Sequence, residues 1–329
     1  LAQRDFIVIG TSSGGVDALR LLASQLPVDI PASIAVVLHI GAHGSMLPAL
    51  LSYAGPLPAK HAEDGERYAP GTIYVAPPDR HLVVEDGQLR LLHSAKENFA
   101  RPAIDPLFRS AAAQIGPRAI GVILTGLLDD GAAGLEAIQA CGGATLVQDP
   151  ADAFASDMPR HASPFADYVL PLDKMGQCLV SLTRANASGP ETNDPARREA
   201  TDRIVLEQSA WLAGAPPFDA IRGLATPSTF TCPECNGTLW RIAASRVMRY
   251  RCHTGHAYSA ASLHDGLMVD AEDSLRNALR ALREREMFSS ELRDHFEKTG
   301  DTTAQQREED NARRARRAAE LLQSLLMEK

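Results

Sequence analysis

The apolar run Phe6-Ile7-Val8-Ile9 ends in Gly10-Thr11-Ser12-Ser13-Gly14-Gly15, and Val16, Leu19, Leu22, Ala23 and Leu26 follow at helical spacing. Such a pattern predicts a buried strand, a tight turn and an amphipathic helix. Gly10, Ser12 and Gly14 also fit G-x-S-x-G, the strand-to-helix elbow that presents a nucleophilic serine. A hydroxyl held there lies at the positive end of a helix, beside backbone N–H groups that lack helical partners. Those donors suit a developing oxyanion. The same layout also opens folds that cradle phosphate. Glycines at 10, 14 and 15 do not match G-x-G-x-x-G, and no Lys-Ser or Lys-Thr pair follows. The turn therefore favours acyl transfer, with an anion- or nucleotide-binding signalling adaptor as the alternative.

The same alternation continues to about residue 184. Strands are expected at Phe6–Ile9, Ile34–Leu38, Ile73–Ala76, Ala119–Leu124, Ala144–Gln148 and Tyr168–Leu170, with helices near 16–26, 46–53, 105–115, 131–140 and 174–184. This predicts an α/β fold with a doubly wound, mostly parallel sheet. Asp86-Gly87 between two short apolar runs adds a β-hairpin. Residues 1–184 are thus expected to form the catalytic domain, 185–228 a linker rich in small and polar residues, 229–258 a zinc-ribbon-like module and 259–329 a helical hairpin. Within the linker, Ile204–Leu212 suits a short helix. The hairpin is expected to offer a surface for self-association or for docking a partner, and its pattern does not choose between them.

A net charge of −8 argues against polyanion binding, so no nucleic-acid partner is expected. Arg313, Arg314, Arg316 and Arg317 are interleaved with acidic residues and fit a solvated helix face. No apolar stretch reaches the length of a membrane span, and the N-terminus has no signal-peptide layout. With five cysteines, three of them between residues 232 and 252, metal binding in a reducing cytoplasm is a better fit than a disulfide framework.

A nucleophilic serine needs a base, and the base an orienting acid. The β-prone run Ile34–Leu38 ends at His39, and Gly121–Leu124 leads through Thr125-Gly126-Leu127-Leu128 to Asp129-Asp130-Gly131. In an open parallel sheet the carboxyl ends of the strands line the ligand crevice. Ser12, His39 and an aspartate are each expected on that edge. Taken singly, His39 suits a structural hydrogen bond and Asp129 or Asp130 a helix cap. Together they form a complete triad set. Their order differs from that of the α/β-hydrolases.

The segments Gly10–Gly15, Leu38-His39-Ile40, Ala62-Glu63-Asp64-Gly65-Glu66, Ala76–His81, Arg101-Pro102-Ala103-Ile104-Asp105 and Leu124–Gly134 resemble the catalytic domain of the chemotaxis protein-glutamate methylesterase (CheB-type) family, in the same order from about residue 5 to 182. The resemblance implies a Ser-His-Asp hydrolase acting on γ-glutamyl methyl esters of chemoreceptors, with glutamine deamidation as a second reaction and no catalytic cofactor. It places the nucleophile on Ser12, the base on His39 and the acid on Asp130, the residue before Gly131. It places the oxyanion donors at Ser13 and Leu127, and Arg101 and Asp105 on the cleft rim. Leu38 stands where the family often has Gln, and Leu127-Leu128-Asp129 where it often has Met-Gly-Asn. A stand-alone form is implied, lacking the family's usual N-terminal receiver domain and carrying a C-terminal extension.

That extension holds Cys232-Pro233-Glu234-Cys235 and, seventeen residues on, Cys252-His253-Thr254-Gly255-His256. Paired ligands at this separation fit a closed structural zinc site. Cys232, Cys235, Cys252 and His256 are the expected ligands, because Cys252 and the adjacent His253 are too close in sequence to converge easily. Two strands between the pairs are expected from Trp240, Ile242, Val247 and Tyr250.

Overall fold

The computed structural model describes residues 3–40, 44–185, 195–212, 223–243 and 245–327. They fall into two compact units, Leu1–Leu263 and His264–Lys329.

The first unit is built on a seven-stranded parallel sheet of β1 (Phe6–Thr11), β2 (Ser33–Leu38), β3 (Ala59–His61), β5 (Ile73–Val75), β8 (Ala119–Ile123), β9 (Ala144–Gln148) and β10 (Tyr168–Leu170), in the order β10-β9-β8-β1-β2-β5-β3. The central strands are covered on both faces, which is why β1, β2 and β8 are buried at every position. Side chains alternate between the two faces. Phe6, Val8, Ala35 and Val37 pack with α3 (Ile104–Gln114) and α4 (Ala132–Ala140). Ile7, Ile9, Ile34 and Val36 pack with α1 (Gly15–Gln25) and α6 (Leu172–Arg184). Helix α2 (Leu47–Ala54) lies beside β3, and α5 (Asp157–Ala162) contacts α4. A separate small sheet contains β4 (Glu66–Arg67) and the hairpin of β6 (His81–Glu85) and β7 (Gln88–Leu92). Its turn has positive φ at both Asp86 and Gly87, as a two-residue turn of this kind requires.

Chain connections run outward in opposite directions from β1, through β2 on one side and β8 on the other. In open α/β sheets ligands bind at such a reversal, outside the carboxyl ends of the strands.

The segment read as a linker is more structured than its composition suggests. Helix α7 (Pro195–Leu212) extends the helix expected at 204–212, and β11 (Ala225–Thr231) begins before residue 229. Residues 186–194 and 213–222 of that segment lie outside the described residues. The Cys/His module is a four-stranded antiparallel sheet, β11-β12-β13-β14, with β12 (Thr238–Ile242), β13 (Arg249–Cys252) and β14 (Ala257–Ser259). It shares one compact unit with the parallel sheet.

Helix α8 (Ala260–Thr299) passes into the second unit and is followed by α9 (Thr302–Met327). Gly300, at φ 79°, makes the break, and Asp301 Oδ1 accepts the Ala304 N–H at 2.9 Å as an N-cap. Ala304, Ala312, Ala315 and Ala319 form the buried stripe of α9. Arg316 reaches Glu286 at 2.7 Å and Arg293 reaches Glu309 at 3.2 Å, tying the two helices into a hairpin.

Candidate active site

Thr11 and Leu38 are register partners on β1 and β2, so the next residues, Ser12 and His39, leave the sheet side by side on its carboxyl edge. The His39 N–H donates to Thr11 O at 3.3 Å, and the Ser12 N–H to Thr125 O at 3.0 Å, in the loop after β8. Thr125 is the rivet of this corner. Its carbonyl also accepts the Thr11 hydroxyl at 2.8 Å, while its own hydroxyl donates to Ser13 O at 2.8 Å. Three loops are thereby fixed around the serine before any triad contact is made.

His39 Nε2–H donates to Asp130 Oδ2 at 2.8 Å. This leaves Nδ1 as the ring nitrogen with a lone pair for a neighbouring hydroxyl. Asp130 is almost fully buried, and its two oxygens are crowded with donors. Oδ2 also accepts the Ile104 N–H at 2.7 Å; Oδ1 accepts the Asn98 amide at 3.0 Å and the Asp105 N–H at 3.3 Å. Burial alone pushes this carboxyl up, but the bonds from His39, Ile104 and Asn98 outweigh it and hold Asp130 below the usual carboxylate range. It is a fixed anion, suited to orienting an imidazole and stabilising its protonated form.

Asp105 departs from the rim position that the resemblance implied. It is buried behind Asp130, where Oδ1 accepts the N–H groups of Gly131 at 3.1 Å and Gly134 at 2.7 Å, and so caps α4. Burial, reinforced by the Asp130 charge, pushes its carboxyl up to about 7. Arg101 is an anchor for the neighbouring loop: it grips Asp79 Oδ1 at 2.6 and 2.8 Å and Ser94 O at 2.6 Å. His81, inside a matched segment, is buried and bridges Ala95 O and the Ala103 N–H.

The anion-cradle alternative loses donors to internal bonds. The Ser12 N–H is taken by Thr125 O, and the Gly15 N–H by Ser12 O at 2.8 Å. Gly14 takes φ 77° at the start of α1, where a side-chain carbon would run into Phe154. A carbon on Gly126 would overlap the Met158 sulfur and come within 3.0 Å of Ser12 Cβ, so glycine there lets the loop close on the serine. Leu127 is 56% exposed, at the mouth of this corner, next to Leu128 with φ 60°.

The second chemical centre is in the module. One ligand atom each from Cys232, Cys235, Cys252 and His256 lies within 4.8 Å of all the others. Cys235 and Cys252 sulfurs are 3.6 Å apart, and His256 Nδ1 is 3.7 and 3.6 Å from the sulfurs of Cys232 and Cys252. Tetrahedral Zn–S bonds of about 2.3 Å place ligand atoms roughly 3.8 Å apart, so the donor set and its spacing fit such an ion. Burial pushes the Cys232 thiol up to about 11. Burial acts on Cys235 in the same direction, but hydrogen bonds from the Thr254 hydroxyl and the Gly237 N–H bring it down to about 6. Tyr258 supports the cluster, its hydroxyl 3.2 Å from Cys232 Sγ and 2.9 Å from Glu234 Oε2.

Sequence reasoning missed Asn98 and Ser259. Asn98 bonds Asp130, and Ser259 donates its hydroxyl to Asp129 Oδ1 at 2.5 Å. No motif or periodicity marked either one.

Comparison with known proteins places this corner in a family. The CheB methylesterase profile matches residues 7–179. A protein of Anaeromyxobacter dehalogenans named protein-glutamate methylesterase/protein-glutamine glutaminase 2 is 41% identical over 186 residues, covering 56% of this chain and 54% of the relative. A Leptospira interrogans protein named putative protein-glutamate methylesterase/protein-glutamine glutaminase is 40% identical over 185 residues, covering 55% of this chain and 95% of the relative. The chain thus spans about half the length of some of the curated relatives it matches. The crystal structure of the Thermotoga maritima CheB methylesterase catalytic domain superposes with a TM-score of 0.52 at 35% identity, covering 55% of this chain and 99% of that one. The profile spans β1 to α6 and so takes in Ser12, His39 and Asp130 together, and on that ground the chain belongs to the CheB methylesterase family.

Proposed function

We propose that this chain is a serine hydrolase that removes methyl esters from glutamate side chains of chemoreceptors, with deamidation of receptor glutamines as a second reaction at the same site. The observation that carries the reading is the 2.8 Å bond from His39 to Asp130 on the strand edge where Ser12 emerges. The names of the relatives, protein-glutamate methylesterase/protein-glutamine glutaminase, supply the substrate class.

In this reading His39 Nδ1 takes the Ser12 proton as the hydroxyl oxygen attacks the ester carbonyl. The N–H groups of Ser13 and Leu127 hold the oxyanion, in a corner where the Ser12 and Gly126 N–H groups are engaged by Thr125 O and Ala155 O. The tetrahedral intermediate collapses, the proton passes from His39 to the leaving methoxide, and methanol departs from an acyl-enzyme. Water, deprotonated by His39, then releases the glutamate carboxylate. Asp130 fixes the ring and stabilises the imidazolium throughout. An amide follows the same path with ammonia as the leaving group.

Cys232, Cys235, Cys252 and His256 are proposed to hold a structural zinc. Four protein ligands close the coordination shell, so the ion folds the module and leaves no open position for substrate. The partner is the methylated cytoplasmic domain of a chemoreceptor, and the setting is the cytoplasm. Among the described residues, no helix is long and apolar enough to cross a membrane.

The test is methanol release from a methylated chemoreceptor cytoplasmic fragment by the wild type and by Ser12→Ala. Release by the wild type and a fall of about 10³-fold or more in the variant are expected. No release by the wild type, with no labelling of Ser12 by a fluorophosphonate, would return the turn to anion binding.

A further inference from the structure

Asn98 sits between two parts of the chain that the sequence keeps far apart. Its amide nitrogen donates to Asp130 Oδ1 at 3.0 Å. Its amide oxygen accepts from two groups where the Cys/His module runs into α8, the Ser259 N–H at the end of β14 at 2.8 Å and the Ser262 hydroxyl in the first turn of α8 at 2.7 Å. Its own backbone N–H donates to Ala257 O of β14 at 2.8 Å. A side-chain amide has one acceptor end and one donor end, and here both are committed, so the module and the start of α8 together decide which way the donor points.

The loop around Asn98 is held by the module at every step. The Ala257 N–H donates to Lys96 O at 3.2 Å. Phe99 packs on Tyr258 with ring centroids 4.9 Å apart. Glu97 is buried and bound by Arg109 of α3 at 2.7 Å and by Arg251 of β13 at 2.7 Å. Asn98 and Phe99 both take left-handed backbone angles, φ 49° and 60°; asparagine adopts this region readily, but for a bulky aromatic such as Phe99 it is rare and is imposed by the surroundings. Asp129, next to the triad aspartate, is bound by the Ser259 hydroxyl on the same side.

From this chain of contacts we infer that Asn98 is a positioning residue for Asp130, and that the Cys/His module sets its placement and thereby the alignment of the Asp130–His39 pair. The inference rests on the esterase reading of Ser12, His39 and Asp130. In a triad the acid works by holding the imidazole within a narrow range of angles, so a donor that fixes the acid acts on turnover and leaves substrate affinity alone.

The test uses the full chain with its metal and two readouts, methanol release from the methylated receptor fragment and the rate at which a fluorophosphonate labels Ser12. Asn98→Ala is expected to lower kcat about tenfold with KM within about twofold, and to slow labelling in parallel. Ser262→Ala removes one of the two groups that aim the amide, and is expected to lower kcat about threefold in the wild type and not at all in Asn98→Ala. Unchanged kcat in Asn98→Ala, or an equal Ser262→Ala loss in both backgrounds, overturns the inference. Where Asn98→Ala does not fold, Ser262→Ala decides alone: a kcat loss at constant KM supports the inference, and an unchanged kcat overturns it. A wild type that labels at Ser12 without releasing methanol counts against the receptor-ester reading, and the labelling rates of the variants still judge Asn98.

Discussion

Two aspartates on neighbouring backbone segments, Asp130 and Asp105, carry opposite assignments. Asp130 collects the His39, Ile104 and Asn98 donors and is held as an anion, while Asp105, buried beside that anion, is pushed up to about 7. The folded protein therefore keeps a proton on Asp105 that the unfolded chain releases near pH 4. Across the window from about pH 4 to about pH 7 the unfolded state binds fewer protons at this position, so the Asp105 contribution to stability falls as pH rises and is flat above. Asp105→Asn keeps a carbonyl oxygen for the Gly131 and Gly134 N–H groups and removes the titration. The variant is expected to gain stability relative to wild type between pH 5 and pH 8, measured by urea unfolding at each pH. An equal difference at the two pH values would show that Asp105 does not titrate in that window. The meeting of Ser12, His39 and Asp130 at one sheet edge was legible because Ser12 and His39 directly follow β-prone apolar runs, Asp130 lies in the loop after a third, and parallel strand ends share an edge. Asp105 was misplaced because its motif carries no sign of depth, and Asn98 was invisible because its partners Ser259 and Ser262 lie 161 and 164 positions away.

At the scale of elements, the strongest periodicities found their places. The alternation in β1 and β2 divides Phe6 and Val8 from Ile7 and Ile9 and so assigns α3 and α4 to one face and α1 and α6 to the other. Strand β11 escaped notice because Pro227 and Ser228 within it read as linker; proline is tolerated there because β11 is an edge strand, with an irregular register between Pro227 and Thr231. The junction of Asp130 with α4 is where an element controls the site. Gly131 starts the helix at φ 92°, and a side-chain carbon on it would come 2.5 Å from Ile123 Cδ1 and 2.7 Å from Ile104 Cγ2. Gly131→Ala combines a left-handed alanine, roughly 1–2 kcal/mol, with overpacking of roughly 1–3 kcal/mol. A loss of about 2–5 kcal/mol in urea unfolding is expected, with slower fluorophosphonate labelling of Ser12, because Ile104 also donates its N–H to Asp130. A loss below about 1 kcal/mol would mean that the turn has room the structure does not show.

Across the first unit as a whole, the module is fastened by two means of different kinds. One is a buried ion network: Glu97 lies between Arg109 and Arg251, and Glu207 of α7 pairs with Arg249 of β13 at 2.7 Å. Burial raises both carboxyls, but the arginine charges outweigh it and hold them well below the usual range. Such pairs are costly to break but are weak net sources of stability, because desolvation offsets their attraction. The other is the Cys/His cluster. The module's four strands are short, and their buried apolar side chains, Leu239, Trp240, Ile242, Tyr250 and Tyr258 chief among them, make a small core for such a sheet. On the proposed zinc reading, a bound ion adds to that small core, and its removal is expected to act on the module first. Treating the full chain with a strong chelator, or replacing Cys235 with Ser, should remove about one zinc per chain and lower the melting temperature on the order of 10 °C, from several kcal/mol at roughly 2–4 °C each. Cys178→Ser, in α6 and outside the cluster, should change neither the metal content nor the melt. A chain that loses its metal and melts unchanged would show that the arginine network alone carries the module, and the cluster would then need a role other than folding.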